Sequence, residues 1–342
     1  MKDLRILHVH NVANVATNLV AGFQKLNLKA ELYDLIRFDK KRFPKPIRKM
    51  LGIILAFIEL FKFSIYIRIH RFDIIHIHYG TNSYLALFNN IPFYLHLHGT
   101  DIRDFNRESI KGALVLQGIK KAKALFYSTP DLYKIIKPIR SDAIYLPNPI
   151  NTDFFSPHIT FSKSDQIDIF NISKLDKNKG IEKQFSIIED LLNQKQELVI
   201  AIFNFGNIAE KYTDKLKFYR SKNVQIFGKV QHRDMIDIIN NSRIIIGQMS
   251  IGSLGCSELE AMACGKPVVC HIKDLEMYST PPPVISVSNT SEAEERILEL
   301  LRNPNLAYEI GKKARKWVEE NHDYVNIAKK LLNYYQQDIK IK

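Results

Sequence analysis

Two carboxylates and two ammonium groups in the chain have spacings that could do chemistry. Glu258 and Glu260 lie two apart in CSELEAMACGKPVVC (Cys256 to Cys270), and Lys174 and Lys179 lie five apart in SKLDKNKG. Two cations on a loop that follows a strand can neutralise a diphosphate leaving group as charge builds on it. The bland alternative is a solvated basic turn. The stretch SRIIIGQMSIGSLG ahead of Glu258 reads strand then Gly/Ser loop, with Gly252 and Gly255 free to let backbone approach a ligand. A loop that enters a helix presents unpaired N–H groups and a positive dipole end, which suits a phosphate. The same residues also read as a plain capped helix, with Ser257 at the N-cap, Glu260 at the third helical position and Gly265 closing the end. His76 and His78 in HIHYG share one face of a strand, as metal ligands can. No third ligand has a matching spacing, so they are read as partly buried strand histidines. No metal is expected, and no Asp-x-Asp triplet is present.

The elements that must position these groups alternate. LRILHVHN, KAELYDLI, FDIIHIHY, FYLHLHG, KALFYS and DAIYLPNP read as short strands, with helical runs such as VATNLVAGFQKLN, SIKGALVLQGIKKA and TPDLYKIIKPI between them. After a turn-rich, polar stretch, NPINTDFFSPHITFSKSDQ, the pattern restarts with IDIFNIS, QELVIAIFNFG, NVQIFG, SRIIIGQ and KPVVCHI. Strand and helix alternating over this length predict parallel sheets covered on both faces. The restart predicts an α/β chain of two doubly wound, Rossmann-like domains facing a central cleft. The expected boundaries are 1–155, 156–320 and a C-terminal helix at 321–342 that packs back on the first domain. The end of the chain reads as helix interrupted only at NPN.

The 342 residues carry a formal net charge of +13, with 46% hydrophobic and 25% charged residues. That is a soluble globular composition, and its charge calls for an anionic partner. No nucleic-acid motif or stacking signature accompanies it, so nucleic acid is not an expected partner. Three cysteines without C-x-x-C spacing fit a reduced, cytoplasmic compartment. MKDLRILHVH is expected not to be a signal peptide. The run MLGIILAFIELF, about a dozen residues, is read as too short to span a bilayer. Arg37, Lys40, Lys41, Arg42, Lys45, Arg48 and Lys49 cluster just before and at its start. This segment is either an attachment to an anionic membrane surface, on the inner face, or a core helix after a basic loop.

The motifs resemble those of the retaining glycosyltransferases of family 4, nucleotide-sugar enzymes of GT-B fold, in order from about residue 70 to 330. SELEAMACGKPVV is similar to the family's E-G-F-G-x-x-x-x-E-A-M-A-C/S-G-x-P-V-V. The resemblance implies that Glu260 holds the nucleotide ribose and that the amides of Gly255, Cys256 and Ser257 hold the phosphates. The family's first glutamate falls on Gly252, and Glu258 stands nearby, out of register. SKLDKNKG resembles G-R-L-x-x-x-K-G, with Lys174 in place of the usual arginine and Lys179 matching. FGKVQHRDM resembles F-x-G-x-V, where backbone near Lys229 and Val230 would cradle the base, and YLPNPINTDFF resembles the interdomain P-N-G-V-D-x-x-x-F. HLHGTDI resembles H-G-x-D, which implies that His98 stands close to the transferred sugar; Asp101 either orients it or caps the next helix. HNVANVATNL replaces the family's glycine-rich loop, with Asn11 and Asn14 as candidate contacts to acceptor or donor.

The resemblance implies an acceptor-binding first domain and a nucleotide-sugar-binding second domain. It also implies transfer from a nucleotide sugar to an acceptor hydroxyl with retention of configuration and without metal. The expected acceptor is a glycan or lipid-linked precursor of the cell envelope. The alternatives are a non-catalytic GT-B protein that binds a nucleotide sugar or glycan, and a GT-B epimerase.

Overall fold

The computed structural model describes residues 4–36, 44–103, 106, 108–158, 166–220 and 223–340. Arg37, Lys40, Lys41 and Arg42 lie outside them. The chain divides into two compact units, 1–149 with 324–342, and 150–323.

In the first unit the order is β1 (Arg5–Val9), α1 (Val15–Lys25), β2 (Lys29–Tyr33), α2 (Lys45–His70), β3 (Ile74–His78), α3 (Tyr84–Asn89), β4 (Tyr94–Leu97), α4 (Thr100–Arg103), α5 (Ile110–Lys121), β5 (Leu125–Tyr127), α6 (Leu132–Ile136) and β6 (Ile144–Tyr145). The strands pair in parallel as β2-β1-β3-β4-β5-β6. Period-2 alternation sends Leu7, Val9, Ile75, Ile77, Leu95 and Leu97 into one apolar layer, together with Phe63 of α2 and Val115 of α5. The other face carries His8, His76, His78 and His96, all buried.

The second unit runs β7 (Ile167–Asn171), α7 (Ile181–Gln194), β8 (Ile200–Phe203), α8 (Thr213–Arg220), β9 (Val224–Phe227), α9 (Met235–Asn241), β10 (Ser242–Ile246), α10 (Cys256–Ala263), β11 (Val268–Cys270), β12 (Ile285–Ser286), α11 (Thr290–Arg302) and α12 (Pro304–His322). Its parallel order is β12-β11-β10-β7-β8-β9. Counted from its own first strand this is 3-2-1-4-5-6, the dinucleotide-binding order, whose direction reverses between β7 and β10. Both faces are apolar. Ile169, Ile200 and Ile244 pack toward α7 and α11, while Phe170, Ala201 and Ile245 pack toward α10 and α12.

Two readings from sequence are corrected. The terminal helical stretch breaks at Asp323 as well as at Asn303; the last helix, α13 (Tyr324–Lys340), packs on α1 of the first unit, the side on which a C-terminal helix was expected. The apolar run is also far longer than a dozen residues. Helix α2 continues past Glu59 and Lys62, and Pro46–His70 is long and apolar enough, by length and composition, to cross a membrane. The helix tolerates Glu59 because that carboxylate turns inward, accepting from the Tyr33 hydroxyl (2.7 Å) and the Ile36 amide (3.0 Å). Phe63, Leu60 and Ile67 pack on the sheet beside it. The opposite side leaves Met50, Ile54, Phe57, Phe61 and Ile65 exposed, Phe57 and Phe61 by 67% and 68%.

Candidate functional site

At the reversal point of the second sheet, the loops leaving β7 and β10 meet. Lys179 ends the β7 loop, and its carbonyl accepts from the Met249 amide (2.9 Å) and from Gln184 Nε2 (2.8 Å), which ties the two loops together. The β10 loop is held by one buried side chain, Gln248. Its Oε1 accepts from the amides of Ser250 (2.9 Å) and Ile251 (2.7 Å), and its Nε2 donates to the His271 carbonyl. The loop then enters α10.

The start of α10 corrects the capping expectation. Its N-cap is Gly255, not Ser257, and Glu258 occupies the third helical position in place of Glu260. The cause is the Glu258 carboxylate, which folds back to accept from the Gly255 amide (3.1 Å) and, with its other oxygen, from the Gln248 amide (3.0 Å). Glu258 is 1% exposed and both its oxygens are engaged, so it is a brace for the loop and is not presented to a ligand. The Gly255 amide is consumed in the same bond. The first-turn amides that remain without an intrahelical acceptor belong to Cys256, Ser257 and Glu258. Lys179 Nζ stands 3.9 Å from Glu258 Oε1, and 3.3 Å from where a side chain on Gly255 would begin. An ammonium thus lies beside the open N-terminus of a helix, a cradle for an anion. Lys174 is half exposed and pairs with Asp176 (2.8 Å).

At its other end α10 stops in a Schellman arrangement. The Gly265 amide donates to the Met262 carbonyl and Lys266 to Ala261, with Gly265 at φ +70°. Gly252 sits at φ +83°, and a Cβ there would meet Lys273 Cγ at 2.8 Å, so this backbone has no room for the glutamate of the family pattern.

Glu260 is buried and accepts from His232 Nε2 (2.7 Å). That bond raises the His232 pKa against the opposing pull of burial, while burial raises that of Glu260 against the pull of His232. Val230 precedes His232 on the loop after β9 and is partly buried on the α10 side of the sheet. Burial raises the pKa of all three thiols, Cys264 to about 12, and so disfavours the thiolate.

In the first unit, His98 follows β4, part-buried, with Nε2 2.9 Å from His78 Nδ1. Asp101 does not reach the His98 ring. Its carboxylate accepts from the amides of His98 (3.0 Å), Gly99 (2.8 Å) and Gly80 (2.8 Å), which locks the loops after β3 and β4. Burial raises the Asp101 pKa and the three amides oppose it. Asn11 donates to Thr17 Oγ1 (2.8 Å) and Asn14 Oδ1 (3.3 Å), and Asn14 stands at the N-cap position of α1 without a side-chain bond to the helix. That loop has left-handed residues at His10, Ala13 and Asn14 without any glycine.

Gln248, His232 and Lys273 were not singled out by sequence reasoning, and no local pattern marks them. His8 and His96 were also missed, although a signal existed: His-x-His occurs three times in the first half of the chain, not once.

Residues 154–317, just under half the chain and all within the second unit, match the family model of glycosyl transferases group 1. The GDP-mannose-dependent monoacylated alpha-(1-6)-phosphatidylinositol monomannoside mannosyltransferase of Corynebacterium glutamicum is 24% identical over 48% of this chain and 46% of its own length. The chain spans about half the length of the first curated relatives it matches. Sucrose-phosphate synthase of Thermosynechococcus elongatus superposes with a TM-score of 0.77 at 14% identity, over 99% of this chain and 100% of that one. HepE of Anabaena, solved with UDP and glucose, gives 0.70 at 14% identity over 98% and 100%. The fold is GT-B, and the match to the group 1 glycosyl transferase model lies within the second unit.

Proposed function

From a GT-B fold with a group 1 region in its second unit, we propose that the protein transfers a sugar from a nucleotide-sugar donor to an acceptor hydroxyl with retention of configuration. The observation that carries this reading is the convergence of Lys179 with the open first turn of α10 at the reversal point of the second sheet. As the glycosidic bond to phosphate breaks, charge grows on the diphosphate. The amides of Cys256 and Ser257 and the Lys179 ammonium are fixed beforehand where that charge appears, so they need no reorganisation during the step. Lys174, on the solvent side, adds a second cation. These groups supply what a divalent cation would otherwise supply, so the phosphate chemistry is proposed to be metal-independent. Glu260, held by His232, is assigned to the ribose, backbone at Val230 to the base, and His98 of the first unit to the transferred sugar. Asn11 and Asn14 are assigned to the acceptor side.

The acceptor is proposed to be a lipid-linked or cell-envelope glycan, and the protein a cytoplasmic one that attaches peripherally to the inner membrane face. The exposed apolar side of α2, following the basic residues from Arg37 to Lys49, supports this. Gly252 favours one second reading, a protein that binds a nucleotide sugar without turning it over.

The test is a thermal-shift screen against UDP-, GDP- and ADP-sugars, followed by assay of nucleotide release with acceptor. A ligand of the folded state raises Tm. Release with acceptor supports transfer, a shift without release supports the binder, and no shift with any donor removes both.

A further inference from the structure

Strands β1, β3 and β4, adjacent in the first sheet, each carry a His-x-His or run into one: His76-Ile77-His78 lies within β3, while His8-Val9-His10 and His96-Leu97-His98 end one residue past β1 and β4. Register aligns His8 with His76 and His78 with His96, so the imidazoles share the face away from the apolar layer. Phe23 of α1, Phe126 of β5 and Tyr335 of α13 close over them. One ring nitrogen from each of His8, His76 and His78 lies within 4.8 Å of the others. His8 Nδ1 is 2.9 Å from His78 Nε2, and the Tyr335 hydroxyl is 2.7 Å from His76 Nδ1. Two buried ring nitrogens here, Nε2 of His8 and Nε2 of His76, have no hydrogen-bond partner among the described residues, while the His96 ring lies against the Leu146 backbone.

Buried polar groups are normally bonded, and each unbonded one costs roughly 1–3 kcal/mol. Two such atoms within one histidine trio point to an occupant. The donors are all nitrogen and uncharged, because burial depresses every one of these imidazoles, His8 to about 3. Neutral imidazoles suit borderline first-row cations, whereas Mg²⁺ and Ca²⁺ take oxygen. Tetrahedral ligands at about 2.0–2.1 Å from a metal stand about 3.4 Å apart, which small ring rotations reach from the present spacing. Tyr335 on the far nitrogen of His76 is the outer partner that such ligands ordinarily have.

We infer that His8, His76 and His78 bind a zinc-class transition-metal cation inside the first unit. His96, its ring centroid 5.4 Å from that of His78, stands beside them as a further donor. The ion joins β1 to β3, and through Tyr335 to α13. Through His78, whose Nδ1 faces His98 Nε2, it also fixes the orientation of His98. It takes no part in the phosphate chemistry proposed for the second unit, so this site stands or falls separately from that reading.

The experiment uses the full chain without an affinity tag of histidines. Bound metal is counted by plasma mass spectrometry, the protein is stripped with chelator, and Zn²⁺ or Co²⁺ is returned. The expected result is one Zn²⁺ per chain, a Tm rise of roughly 5 °C on reloading, and tetrahedral Co²⁺ absorption. Tyr335→Phe should bind the ion at least 10-fold more weakly, and His76→Gln should lose stoichiometric binding. If His76→Gln does not fold, Tyr335→Phe alone decides. Sub-stoichiometric metal with no Tm rise, or equal affinity in Tyr335→Phe, would mean that the cluster is a water-bridged histidine network and would overturn the site.

Discussion

The two sheets solve the same packing problem differently. A parallel sheet buried on both faces ordinarily reads as continuous apolar sequence. The second unit obeys, with IDIFN and SRIII filling apolar layers on both sides. The first unit obeys on one face only and lines the other with His8, His76, His78 and His96. The second sheet therefore keeps its polar chemistry outside the strand ends, in the loops around Lys179 and α10, while the first brings it into the strands. A fold can place function on rim loops or within its core layer, and only the latter leaves a mark in strand composition.

Acid should break the comparison most strongly. Each buried histidine in the first sheet has a folded pKa below its unfolded value of about 6.5. Its contribution is therefore intact above that pH and lost as pH falls toward the folded pKa, at roughly 1 kcal/mol per pH unit per group. Trp317, the sole tryptophan, lies in the second unit. In metal-stripped protein titrated from pH 7 to 4, far-UV circular dichroism should change at a higher pH than Trp317 fluorescence does. Coincident transitions would erase the distinction between the sheets.

Glu258→Gln probes the rim loop of the second unit. It leaves one of two buried backbone amides facing a donor, so stability should fall by about 2 kcal/mol, read by urea denaturation on Trp317. An unchanged midpoint would remove Glu258 as the brace. Gly252→Glu restores the carboxylate of the family pattern in a left-handed backbone against Lys273. It should cost roughly 1–2 kcal/mol and raise no turnover. A gain in turnover would show that the loop adopts another conformation when it works.

The alternation of strand and helix, and its restart after residue 166, made both parallel sheets legible in sequence. Strand order was not, because nothing local says that β1 lies beside β3 or β7 beside β10. For that reason His76 and His78 were read as a lone pair. The helix at Cys256–Ala263 was legible, but its cap was misplaced. Residue type favours Ser257 there, whereas the reach of Glu258 back to Gly255 decides the start. Helix α2 was cut short because counting consecutive apolar residues ignores a helix that turns a carboxylate inward at Glu59 and leaves Lys62 and Arg68 exposed. Gln248 and His232 act through partners as far as 23 and 28 residues away, at distances no motif encodes.

The central claim is that Lys179 and the mouth of α10 hold a nucleotide diphosphate. Calorimetric titration of UDP and GDP into wild type and Lys179→Ala tests it most directly. The expected result is one nucleotide bound per wild-type chain, at least 10-fold weaker binding in Lys179→Ala, about 1.4 kcal/mol, and nearly equal Tm values for the two free proteins. Equal affinity in both proteins, or no binding to wild type, would contradict it.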